Sequence, residues 1–384
     1  MKVIFNLTLL FTFLSFFACS NQQNAEESNK KEISFIVTSP DLDSDTDVYI
    51  SGGDQKLGAW HPQKVALDKL GDHKWKIDLE FEKGLALEYK FTLGSWSNEA
   101  ADSTGNPLSN FILKVTDNEN IHHEIKYWKE GGEMPIRGQI TGKVEYLEQL
   151  KGEGILPRDV IVWLPKEYEA NPDKRYPVLY MHDGQNIIDP KTASFGVDWA
   201  IDETATELIN NKEIQPFIIV GAYCTENRTP EYSPGKEGSA YMDFMVNTLK
   251  SIIDKKYRTK TGREHTIVGG SSSGGIISFM LAWEYPQIYS GAICMSPAFK
   301  IQDIDYVDDV LAYTGKKKDL KFYIDNGGIG LEQKLQPGID EMIKVLQEKG
   351  YILNQDLFYV IDENAQHNEA AWAKRMPKAL KLFF

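Results

Sequence analysis

Apolar and polar positions change rhythm partway along the chain. From about residue 31 to residue 127 they alternate in short runs: Ile33-Ser34-Phe35-Ile36-Val37, Val48-Tyr49-Ile50, Lys74 to Phe81, Leu87 to Thr92 and Phe111 to Val115. A period of two marks half-buried strands, and Gly, Asn, Asp and Pro between the runs mark turns, so this part predicts a small all-β sandwich. Trp75 falls on the apolar face of its strand and is assigned to the core. Residues 128–137 carry Gly131-Gly132, Pro135 and charges and are expected to form a linker. From residue 138 to 384 continuous apolar runs replace the alternation: Val160 to Leu164, Pro177 to His182, Phe217 to Tyr223, Ile288 to Met295, Leu320 to Ile324 and Leu357 to Ile361. Helix-period stretches lie between them, near residues 199–209, 241–257 and 339–349, with a last one at the C-terminus. Strands that are apolar on both faces and alternate with helices predict an α/β domain with a mostly parallel sheet.

The first residues follow neither pattern. Met1 and Lys2 precede an almost unbroken apolar run, Val3 to Ala18, that ends at Cys19. One positive charge, a short apolar stretch and a small residue before the cut predict an export signal, since the run is too short to span a bilayer. Phe16-Phe17-Ala18-Cys19 resembles a bacterial lipoprotein cleavage site. That resemblance implies lipidation of Cys19 after removal of the signal, and an exported protein on the periplasmic or cell-surface face whose membrane contact is this lipid. Residues 20–30 are polar and are expected to act as a flexible tether.

Composition narrows the function classes. Apolar residues make up 42% of the 384, enough for real cores, and the net charge of −14 argues against nucleic acid as a partner. With Cys19 given to lipid, Cys224 and Cys294 remain, each in an apolar run, and are expected to be buried free thiols rather than a disulfide. No Cys/His group has zinc-like spacing, so neither a metal nor a cofactor is expected.

The chemistry centres on Thr266-Ile267-Val268-Gly269-Gly270-Ser271-Ser272-Ser273-Gly274-Gly275. A β-branched run feeds Gly-x-Ser-x-Gly and a helix pattern follows, the context of a nucleophile elbow. Only Ser272 has the motif's glycines two residues before and two after it, which makes it the candidate nucleophile. Around such an elbow the acid and then the base follow the serine in the chain. Of seven histidines only His367 lies beyond Ser272, between a strand and the last helix, and it is taken as the base. The acid belongs after the strand Leu320 to Ile324, where Asp325 and Glu332 are both available; Glu332 is preferred because intervening glycines give it reach. The oxyanion hole should join the N–H of Ser273 to one from the turn after Tyr180-Met181-His182, with Gln185 as donor. His182 precedes both serine and acid, so it is read as architectural or substrate-lining.

Two resemblances extend this. Val48-Tyr49-Ile50-Ser51-Gly52, Lys56-Leu57-Gly58-Ala59-Trp60, Glu88-Tyr89-Lys90-Phe91 and Gly94-Ser95-Trp96 resemble a starch-binding module. It implies sugar contacts at Trp60, Lys90 and Trp96, though the chain departs from the module's pattern after Trp96. From about Gly138 onward the chain resembles the esterase family of α/β-hydrolases, which includes feruloyl, acetyl-xylan and enterochelin esterases. The resemblance rests on Met181-His182-Asp183-Gly184-Gln185-Asn186, Asn227-Arg228 with Glu231-Tyr232, Gly270 to Gly275, and His367-Asn368-Glu369 with Trp372 and Arg375. Arg228, Glu231 and Tyr232 either shape the pocket mouth or form an ion pair beneath a loop.

The expectation is therefore a serine esterase that removes feruloyl or acetyl groups from carbohydrates through an acyl-enzyme. The alternatives are a siderophore-type esterase and a non-catalytic surface glycan-binding lipoprotein.

Overall fold

The computed structural model describes residues 29–58, 62–103, 105, 107–108, 110–129, 139–193, 197–301 and 304–384. The expected signal, Cys19 and Trp60 lie outside them. The chain divides into two compact units, Met1–Glu130 and Gly131–Phe384.

The first unit holds two four-stranded sheets. One contains the strands Lys30–Thr38 and Lys74–Glu82, paired antiparallel, and Glu119–Glu124, which joins Lys30–Thr38 in parallel. The other is built around Tyr49–Gly52 and Ala86–Thr92. Alternate residues of the two, among them Phe35, Ile50, Trp75, Tyr89 and Phe91, make one closed core. Trp75 is fully buried and its indole N–H donates to the Thr46 carbonyl, so the bulkiest core residue leaves no polar atom unpaired. A further short strand, Tyr127–Trp128, pairs with Ala100–Ala101 and extends this unit past the expected boundary. Glu119–Glu124 escapes the sequence pattern because its apolar positions are filled by His and Ile rather than by a clean alternation.

The second unit is an eight-stranded sheet. Its strands are β1 (Lys143–Leu150), β2 (Arg158–Leu164), β3 (Val178–His182), β4 (Ile218–Ala222), β5 (Thr266–Ser271), β6 (Gly291–Met295), β7 (Lys321–Gly327) and β8 (Leu357–Asp362). The spatial order is β1-β2-β4-β3-β5-β6-β7-β8. β1 and β2 are antiparallel to their neighbours, and every pair from β4 to β8 is parallel. All residues of β3, β4, β5 and β6 are buried, which explains their unbroken apolar runs. One face packs on the helix Ser273–Glu284 and its neighbours, the other on Ile201–Asn210 and Glu369–Phe383. β1 was not legible: none of its residues is fully buried, although Val144 packs on one core and Leu147 and Leu150 on the other, and its sequence, Lys-Val-Glu-Tyr-Leu-Glu-Gln-Leu, has no clean period. Among the described residues no helix is long and apolar enough to cross a membrane.

Candidate active site

β5 ends in a turn that a side chain at position 270 would prevent. A Cβ on Gly270 would lie 2.7 Å from the Gly274 carbonyl oxygen, so glycine there lets strand and helix close on each other. Between them Ser272 has φ 55° and ψ −122°, a strained setting for a residue with a side chain. It is held by its N–H on the Met295 carbonyl at 2.9 Å and by its own carbonyl, which accepts from Ala298 N–H at 3.1 Å. Ser272 and Ser273 are half-buried while their neighbours on both sides are buried, so the turn presents these two to the outside. Ser273 opens the helix, and its N–H has no carbonyl one turn back to bond.

β7 and the helix after it settle which carboxylate meets the histidine. His367 Nδ1 lies 3.1 Å from Glu332 Oε2, with the Glu332 side chain fully buried and that of His367 14% exposed. Glu332, expected in the loop after the strand, lies instead in the first turn of the helix Leu331–Glu348, where the helix dipole favours an anion. The glycines before it act through close approach. A Cβ on Gly327 would lie 2.5 Å from the Ala365 carbonyl oxygen, and that carbonyl accepts from Gly328 N–H and Ile329 N–H, each at 3.1 Å. The backbone of the His367 loop thus docks on the Gly327–Ile329 turn. Asp325, the alternative acid, sits inside β7 and points elsewhere. Arg375 grips it through two bonds of 2.9 and 3.1 Å, Tyr323 donates to it at 3.0 Å and Ser296 N–H at 3.1 Å. Its burial pushes its carboxyl up from the usual range, while Arg375 pulls it down.

Ser296, which the sequence reading missed, joins the two halves. Its hydroxyl donates to Glu332 Oε1 at 2.7 Å and accepts from Trp372 Nε1 at 3.1 Å and Arg375 Nη2 at 3.0 Å. The Trp372 ring packs edge-on to His367 with centroids 5.0 Å apart. The turn Met295–Ala298 is therefore bonded to the elbow through Ser272 and to the acid through Ser296. A serine closing an apolar strand ahead of a proline was the available signal for it. The backbone of Ser272 and the His367–Glu332 pair are so tied to one turn, Met295–Ala298, after β6.

The turn after β3 supplies the other expected donor. Gln185 lies in the single-turn helix Gly184–Asn186, and its side chain is spent on the end of β4: Nε2 donates to Cys224 Sγ at 3.0 Å and Oε1 accepts from Cys224 N–H at 3.1 Å. Only its backbone N–H is left for an oxyanion. His182 is fully buried, its Nδ1 2.8 Å from the Tyr241 hydroxyl, and burial lowers its pKa to about 3. A neutral, enclosed imidazole fits the architectural role and not substrate contact. Arg228 donates to Asp183 through two bonds of 2.8 Å, and Glu231 pairs with the buried Arg158 at 2.8 Å, so this group is an ion-pair layer beneath the loop. Cys224 and Cys294 are both free thiols; Cys294 is buried and Cys224 partly so.

In the first unit, two of the expected sugar contacts are corrected. Trp96 is 8% exposed, buried rather than open on the surface. Lys90 Nζ is held at 2.6 Å by the buried Glu99, which also takes Lys129 at 3.2 Å. A buried carboxylate needs its cations, so Lys90 serves the fold.

Among the described residues one group could offer ligands to a metal. Oxygens of Asp198, Asp202 and Glu203 lie within 4.8 Å of one another. Thr141 donates to Asp202 Oδ2 from its N–H at 2.6 Å and its hydroxyl at 2.9 Å. Burial raises the Asp202 pKa, and the adjoining Glu203 raises it further; burial also lifts Asp198 to about 6. A carboxyl whose folded pKa is raised contributes stability that is complete below its unfolded value and is lost as pH rises through the folded one. Asp202→Asn is expected to flatten that loss: its melting temperature should fall less than wild type's between about pH 5 and about pH 9. Parallel thermal curves would show that Asp202 stays ionised.

A family model described as "Putative esterase" matches residues 156–383, and one described as "Starch binding domain" matches residues 30–124. The uncharacterized protein YjcH of Bacillus subtilis is 28% identical over 189 residues, covering 48% of this chain and 69% of that protein. An endo-1,4-beta-xylanase/feruloyl esterase of Xylanibacter ruminicola is 23% identical over 233 residues, 58% of this chain but only 29% of that enzyme. Among solved structures, a ferulic acid esterase superposes with a TM-score of 0.53 at 20% identity, covering 63% of this chain and 97% of that one. At that identity the likeness carries the fold alone.

Proposed function

The chain belongs to the esterase family, and we propose that it hydrolyses acyl esters of carbohydrates, of feruloyl or acetyl type, through an acyl-enzyme on Ser272. The single observation that carries the chemistry is the His367–Glu332 pair bonded, through Ser296 and its turn, to a strained serine elbow. Ser272 would attack the ester carbonyl as His367 takes its proton. Glu332 would accept the Nδ1–H of His367, fixing the tautomer and steadying the imidazolium. The tetrahedral oxyanion would take hydrogen bonds from the backbone N–H groups of Ser273 and Gln185. His367 would then return the proton to the leaving alcohol, and water would repeat the sequence to release the acid.

A carbohydrate-linked ester is favoured by the starch-binding-domain match of residues 30–124 and by the feruloyl esterase named in the Xylanibacter ruminicola enzyme. In this reading Trp60 is the remaining aromatic for a sugar face, and the lipid on Cys19 holds an exported enzyme at its membrane. Release of ferulate or acetate from substituted oligosaccharides is the test, run beside a siderophore-type ester. Faster turnover of the siderophore ester would replace the proposed substrate class. The full chain should be slowed in a native gel containing starch and Trp60→Ala should not, whereas equal migration of both would remove the sugar-binding part.

A further inference from the structure

The oxyanion turn is held by something beyond its own backbone. Asp183, which precedes it, has φ 55° and ψ 45°, a left-handed conformation that an L residue adopts at a cost. Three contacts keep it there. Arg228 Nε and Nη2 donate to its two carboxylate oxygens at 2.8 Å each, a planar fork on a planar acceptor. Its N–H donates to the Tyr232 hydroxyl at 3.3 Å. Its carbonyl accepts from Asn186 N–H at 2.8 Å, closing the turn that contains Gln185. The carboxylate also rests on the elbow helix, since a Cβ on Gly274 would meet Asp183 Oδ2 at 3.2 Å. One charged pair thus touches both segments that carry the oxyanion donors.

We propose that Arg228 is the positioning residue of the oxyanion hole: by gripping Asp183 it fixes the backbone turn that aims the Gln185 N–H, and it seats that turn against the helix that begins at Ser273. This rests on the esterase reading above. Lysine cannot replace the fork, because a point charge satisfies one oxygen and leaves the rotation of the carboxylate free. Arg228 has the reach without being sealed in, its side chain being 27% exposed against 7% for Asp183. Arg228 is held by the short helix Arg228–Glu231, whose last residue is anchored to the buried Arg158, so the grip is referenced to β2 and not to a free loop.

The test is kinetic. Arg228→Ala and Arg228→Lys are compared with wild type on an aryl ester, with far-UV circular dichroism and melting temperature recorded for each. Loss of an aligned oxyanion donor lowers kcat by about 10²-fold and leaves KM nearly unchanged. Inhibition by an aryl boronate, whose tetrahedral adduct needs the same donors, should weaken in proportion. Guanidinium at millimolar level should restore part of kcat to Arg228→Ala and none to Ser272→Ala. Folded variants with wild-type kcat, a loss confined to KM, or no rescue by guanidinium would each overturn the inference. If Arg228→Ala does not fold, Arg228→Lys carries the same comparison of kcat, KM and boronate inhibition. Failure of the esterase reading looks different: wild type and Ser272→Ala would then share one background rate.

Discussion

Ser272→Ala is expected to lower kcat for ester hydrolysis by about 10⁴- to 10⁶-fold with the fold intact. The size follows from what is removed. Without the hydroxyl there is no acyl-enzyme, and His367 has no proton to take. The turn itself should survive, because Ser272 is held by backbone bonds to Met295 and Ala298 and its strain comes from φ and ψ, not from its Oγ. The measurement is initial rates on a short-chain aryl ester together with the melting temperature. A variant retaining more than about a hundredth of wild-type kcat would remove the serine mechanism.

The second large effect separates two carboxylates that lie seven residues apart. Glu332→Gln should cost about 10⁴-fold in kcat, because the amide can present a donor to Nδ1 and hold the imidazole in the wrong tautomer. Its effect on stability should be smaller than its effect on rate. Asp325→Asn should behave in reverse, losing stability first. Arg375 would be left buried with half its partner, and breaking a buried pair by removing one charge costs about 3–5 kcal/mol. Denaturant unfolding and kcat measured on both variants decide it. If Asp325→Asn stays stable and loses kcat as deeply as Glu332→Gln, the assignment of the acid is reversed.

The Asp325 and Glu332 pair also shows where sequence stops. Both stand after the right strand, and nothing in local pattern distinguishes a carboxylate that ends a strand from one that begins a helix. Glycines at 327, 328 and 330 and Pro337 read as a loop, so the helix Leu331–Glu348 was expected to start later. The His367 loop packs on those glycines, and Glu332 in the helix's first turn meets His367, 35 residues away. The same limit hid Ser296, whose three side-chain partners come from Glu332, Trp372 and Arg375. It also hid that Glu99 holds Lys90 and that Trp96 is buried.

Sequence alone determined what depends on neighbours along the chain. Period-two alternation marked the β-domain, continuous apolar runs marked the central strands, and the glycines about Ser272 marked a turn only they allow. Order along the chain also singled out His367, since no other histidine follows the serine. Tertiary structure decided everything that depends on which distant groups share a buried space. There, a carboxylate is defined by the partner that reaches it: imidazole for Glu332, guanidinium for Asp325 and for Asp183. Burial removes water as the default partner, and each buried polar group must then find one in the fold.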